Sequence, residues 1–66
     1  DEVVNAIEKL GDNYRDVTKL FLLEGYDHQE IADIMGITES ASRTKLHRGK
    51  LQLKEHLKHL QYGTGY

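Results

Sequence analysis

The sequence predicts an all-α domain of four helices, at about residues 2–10, 13–24, 28–35 and 39–60, with the third and fourth joined as a helix-turn-helix. Two observations carry this expectation. Apolar residues recur at three- and four-residue spacing in separate stretches divided by glycine-containing breaks. Residues 27–50, DHQEIADIMGITESASRTKLHRGK, add two helix starts on either side of a glycine turn.

In the first helix Val3 or Val4, Ile7 and Leu10 form a short apolar stripe, and Gly11-Asp12-Asn13 interrupts it with turn chemistry. Tyr14, Val17, Leu20, Phe21 and Leu23 restore the stripe until Gly25. Asp27 with Glu30 three residues later has the form of a capping box, so the third helix starts near His28. Ile31, Ile34 and Met35 supply its apolar spacing, Ala32 allows a close helix crossing, and Gly36 supplies the left-handed residue that ends it. Ile37 can plug the core from the turn. Thr38 is the N-cap expected for the last helix, and Glu39 suits the positive end of its dipole. Leu46, Leu53, Leu57 and Leu60 line one side of that helix, with Ser42 and Gly49 in the gaps. The domain is expected to span residues 1–60, and the glycine-rich residues 61–66 to form a frayed tail.

A chain of 66 residues, 38% hydrophobic, sits near the lower limit for a single core and has no room for a large catalytic cleft. Without cysteine there is neither a disulfide nor cysteine-ligated zinc, and no apolar run approaches a membrane span. A reducing, aqueous compartment is expected. The start at Asp1, with no basic-then-apolar leader, reads like a domain taken from a larger protein.

The net charge of −2 conceals a dipole. Residues 1–39 hold ten acidic against three basic side chains, a balance of −7, whereas residues 40–66 hold six basic against one acidic, a balance of +5. Attraction to phosphate depends on where positive charge lies rather than on the sum. Here it lies on the last helix. Ser40, Arg43, Thr44, His47 and Arg48 share one polar, cationic face away from the leucine stripe. Such a face fits the major groove, where arginine can bond guanine O6 and N7 together and short side chains such as Ala41 can touch base edges or thymine methyls. Lys45 and Lys50 point to the flanks and suit phosphates, which position a protein without reading sequence.

A basic helical face on its own is ordinarily just a solvated face. The capped helix and glycine turn before it shift the reading toward nucleic acid. His47 alone is an ordinary surface histidine; within this face it is assigned to the DNA side. His56 and His59 lack a partner that would complete a metal site, so neither metal nor cofactor is expected. Asp12, Asp16 and Asp27 sit at helix starts, which is structural reason enough for them. Nothing pairs a nucleophile with an oriented base, so the chain does not read as an enzyme. Leu51 lies off the leucine stripe, either packing under the first helix or forming part of a partner surface.

Residues 14–57 resemble region 4 of bacterial sigma factors, most closely the extracytoplasmic-function group. The motifs that carry the resemblance are Tyr14-Arg15, Glu24-Gly25-Tyr26, Glu30-Ile31-Ala32, Gly36-Ile37-Thr38-Glu39 and Leu46-His47-Arg48-Gly49-Lys50, in the family's order. The resemblance implies a cytoplasmic domain that binds double-stranded promoter DNA at the −35 element within RNA polymerase holoenzyme. It makes Arg43, Thr44, His47 and Arg48 the main candidates for contacting bases or the adjacent backbone, with Thr38, Glu39, Ser40 and Ala41 approaching the DNA at the helix start. Taken with the helix face, this gives Ser40, Ala41, Arg43, Thr44, His47 and Arg48 as the base-reading set and Thr38, Lys45 and Lys50 as the phosphate set. The β-subunit flap is the implied docking partner, and an anti-sigma factor the implied inhibitor.

Three positions depart from the family pattern. Ser42 stands where valine is common, Gly49 where alanine is common, and Ala41 where threonine is common. The Gly49 departure alone should cost about 1 kcal/mol of helix propensity. Two other readings are a helix-turn-helix from another regulator, which would read an operator and dimerise, and a domain that mainly docks on polymerase or an anti-sigma factor.

Overall fold

A computed structural model describes the backbone of residues 2–62 and the side chains of residues 2–58. It contains four helices, α1 (Glu2–Glu8), α2 (Asp12–Leu22), α3 (His28–Met35) and α4 (Glu39–Tyr62), and no strand among the described residues. The all-α expectation holds, as do the starts of α3 and α4. The side chains of His59 and Leu60, and residues 63–66 of the expected tail, lie outside the described residues.

Boundaries differ by one or two residues. After Glu8 the chain tightens, with Lys9 N–H donating to Ala6 O at 3.2 Å and Leu10 N–H to Ile7 O at 3.0 Å, so the helical ladder stops before Leu10. α2 begins at Asp12 and ends at Leu22, closed by Tyr26 N–H on Leu20 O at 3.1 Å around the left-handed Gly25 at φ 79°. That turn leaves Leu23 outside the helix and exposed. α4 continues through Gln61 and Tyr62, two residues beyond the predicted end.

Two apolar clusters share α4. Ala6, Ile7 and Leu10 meet Leu53, with Leu57 packed against them. Val17, Ile31 and Leu46 form the second, joined by Leu20, Phe21, Met35 and Ile37. Ile7, Val17 and Ile31 are fully buried, each contributing about 1.5–3 kcal/mol relative to exposure. The leucine stripe of α4 therefore serves both ends of the domain, with Leu46 fixing α2 and α3 and Leu53 fixing α1.

The same side of α4 carries two small buried residues, Ser42 one turn before Leu46 and Gly49 between Leu46 and Leu53. Gly49 is where α2 crosses α4, a packing reason that helix propensity does not contain. Spacing placed Ile34 with Ile31 and Met35, but α3 has only two turns and turns Ile34 outward, 55% exposed. Of the first two valines, Val4 is the half-buried one and Val3 is exposed. Lys19 Nζ meets Glu8 at 3.3 Å and links α2 to the end of α1.

Candidate nucleic-acid interface

The turn that aims α4 is built from local hydrogen bonds. Asp27 Oδ1 accepts from Glu30 N–H at 2.8 Å, and Glu30 Oε1 accepts from Asp27 N–H at 3.0 Å, a complete capping box at the start of α3. At its other end Gly36 adopts φ 69° and ψ 36°, and Ile37 N–H returns to Ala32 O at 3.0 Å. Gly36 permits the reversal because an L side chain is disfavoured in that left-handed conformation. Ile37 then turns inward onto the Val17, Ile31 and Leu46 cluster.

Thr38 caps α4. Its Oγ1 accepts from Ala41 N–H at 3.0 Å, and its carbonyl accepts from Ser42 N–H at 3.0 Å. The Ala41 amide is thereby occupied, but the Thr38 hydroxyl keeps its own proton to donate and its side chain is exposed.

Ser40, Arg43, Thr44, His47 and Arg48 are all exposed, so the face read from helical spacing is open to solvent. Ala41 and Lys45 are half-buried at its edge. Among the described residues none of Arg43, Lys45 and Arg48 has a salt-bridge partner. The earlier helices behave differently. Arg15 is held by Asp12 at 3.2 Å and Asp16 at 3.5 Å, and Lys19 by Glu8. Positive charge is thus locally neutralised at Arg15 and Lys19 of α2 and, among the described residues, left without a salt bridge at Arg43, Lys45 and Arg48 of α4.

Lys50 is exposed, yet its Nζ lies 5.6 Å from the centre of the Phe21 ring, a cation–π contact back onto α2. Leu51 is 53% exposed and does not pack under α1. It lines an open groove along the C-terminal half of α4 with Lys50, Lys54 and Lys58. Among the described residues no cluster of three or more histidine, cysteine or carboxylate side chains is placed to hold a metal. None of the described helices is long and apolar enough to cross a membrane.

One arrangement was not visible in the sequence. His28, the first residue of α3, places Nδ1 2.8 Å from Oγ of the fully buried Ser42, and its ring stacks on Phe21 at 5.0 Å and 27°. The sequence marks Ser42 only as a small residue on the leucine side of α4 that stands where valine is common. The available signal was a small polar residue on the inner side of α4, but spacing within one helix cannot name a partner on another.

The fold and this surface define a class, a helix-turn-helix domain whose second helix presents unpaired cations. The sigma-70 region 4 family profile matches residues 1–53, and the chain belongs to that family. It is therefore a sigma-factor DNA-binding domain of transcription initiation, a non-enzymatic class. The protein named RNA polymerase sigma factor CarQ, from Myxococcus xanthus, is 32% identical over 59 residues, covering 89% of this chain and 34% of that protein. The chain thus spans about a third of the length of that curated relative. No solved structure matches it.

Proposed function

We propose that this domain recognises the −35 element of promoters in the cytoplasm, as part of an RNA polymerase holoenzyme, by laying α4 in the major groove. The observation that carries the reading is the exposed face of Ser40, Arg43, Thr44, His47 and Arg48 on a helix aimed by a capped turn, with neither arginine in a salt bridge among the described residues. Arg43 and Arg48 are long enough to reach guanine edges, while Ser40, Ala41, Thr44 and His47 take the remaining base contacts. Thr38, Lys45 and Lys50 hold phosphates on either side and fix the register. The acidic residues concentrated before residue 40 oppose misplaced contact of the other helices with the backbone.

The test is selection of duplexes from a random pool, followed by anisotropy titration of the enriched duplex and a scrambled one at two salt concentrations. The reading requires a preference for the enriched duplex that survives the higher salt. Binding that is salt-sensitive but indifferent to sequence would count against it.

A second reading is that the domain mainly docks on polymerase, through the β-subunit flap, or on an anti-sigma factor. Exposed Leu51, in the groove along the C-terminal half of α4, favours it, since an apolar side chain among lysines suits a protein surface better than a phosphate backbone. Leu51→Glu weakening polymerase association while leaving duplex binding intact would support this contact.

A further inference from the structure

We propose that His28 and Ser42 are positioning residues for sequence readout, their hydrogen bond fixing the rotation of α4 about its own axis and hence which side chains meet the bases. The proposal rests on the DNA reading above. Ser42 is wholly buried, one turn into α4, and lies beside Arg43 in the chain. Its side-chain partner among the described residues is His28 Nδ1 at 2.8 Å, across the α3–α4 interface. Whichever group donates, the bond is directional, unlike the apolar contacts of Ile31 and Leu46 that otherwise join these helices.

His28 is itself held from a third helix. Its ring stacks on Phe21 of α2 at 5.0 Å, and Phe21 in turn packs on the cluster of Val17, Ile31 and Leu46. The series Phe21, His28, Ser42 therefore joins all three helices of the DNA-binding half. Apolar contacts are not directional, whereas a rotation of α4 lengthens or bends this part-buried hydrogen bond. A turn of one residue's angle, about 100°, would carry Arg43 off the face it shares with His47.

The experiment measures discrimination, the ratio of affinities for the selected and scrambled duplexes, in His28→Phe, His28→Asn, Ser42→Ala and the His28→Phe/Ser42→Ala pair. His28→Phe keeps a ring on Phe21 and removes Nδ1, while His28→Asn keeps a hydrogen-bonding group near the Nδ1 position and loses the ring. His28→Phe and Ser42→Ala should each reduce the ratio about fivefold, with the double variant no worse than either. His28→Asn should stay within about twofold of the unsubstituted chain. Partial unfolding scales both affinities alike and leaves the ratio unchanged, so a merely structural role is distinguishable, and urea unfolding of each variant confirms its fold.

An unchanged ratio in Ser42→Ala and His28→Phe, with Arg43→Ala still abolishing discrimination, overturns this proposal alone. Equal losses in His28→Asn and His28→Phe overturn it also, since they assign the effect to the ring. Absence of discrimination in the unsubstituted chain overturns both the proposal and the DNA reading.

Discussion

Gly49 of α4 lies directly against Thr18 of α2. A Cβ added at 49 would collide with Thr18 Oγ1 and meet the Cβ atoms of Thr18 and Tyr14 at 3.5 Å. Glycine is the weaker helix former, and an alanine here would gain about 1 kcal/mol in an isolated helix. At this crossing it must displace a buried side chain, at about 1–3 kcal/mol. Gly49→Ala should therefore be destabilising, with a lower urea midpoint, and should be better tolerated in a Thr18→Ala background. A higher midpoint for the single variant would show that α2 can shift freely.

Thr18 carries its own cost. Its Oγ1 has no hydrogen-bond partner among the described residues, although the side chain is fully buried. Thr18→Val removes the unsatisfied hydroxyl and nearly keeps the shape, so it should stabilise the fold by about 1 kcal/mol in chemical denaturation. Destabilisation would indicate that the hydroxyl is satisfied in solution.

Asp27 joins α3 to its turn through two reciprocal hydrogen bonds. Asp27→Ala removes one and frees the other, and caps of this type contribute about 1 kcal/mol. In so small a domain that is a large share of the stability, so the melting midpoint should fall by several degrees. Asp27→Asn should recover most of it. Equal midpoints for all three would mean that the box does not form.

Legibility in the sequence followed distance along the chain. Asp27 with Glu30, Gly36 and Thr38 each act within four residues, so their chemistry was readable and the starts of α3 and α4 fell where expected. The contacts that decide packing join residues far apart, as Thr18 with Gly49 and His28 with Ser42 do, and periodicity within one helix carries no information about them. Ile34 shows the same limit: its spacing fits the apolar stripe, but only the crossing of α3 over α4 decides which side of the stripe is covered. The candidate face was readable because exposure on α4 is the complement of its leucine side, whereas the occupation of Lys50 by Phe21 was not.

Lys50 tests how far phosphate contacts are separable from readout. Lys50→Ala should weaken the selected and scrambled duplexes alike and reduce the slope of log affinity against log salt by about one. It should also cost about 0.5–1 kcal/mol of stability through the lost contact with Phe21. A change confined to the selected duplex would place Lys50 on a base.

Base reading by the arginines of α4 is measured by replacing each guanine of the selected duplex in turn with 7-deazaguanine, which lacks the N7 acceptor. Affinity should fall at one or more guanines in the unsubstituted chain, and that loss should disappear in Arg43→Ala or Arg48→Ala. Binding indifferent to every replacement, or a loss that persists unchanged in both variants, would contradict base reading by the arginines.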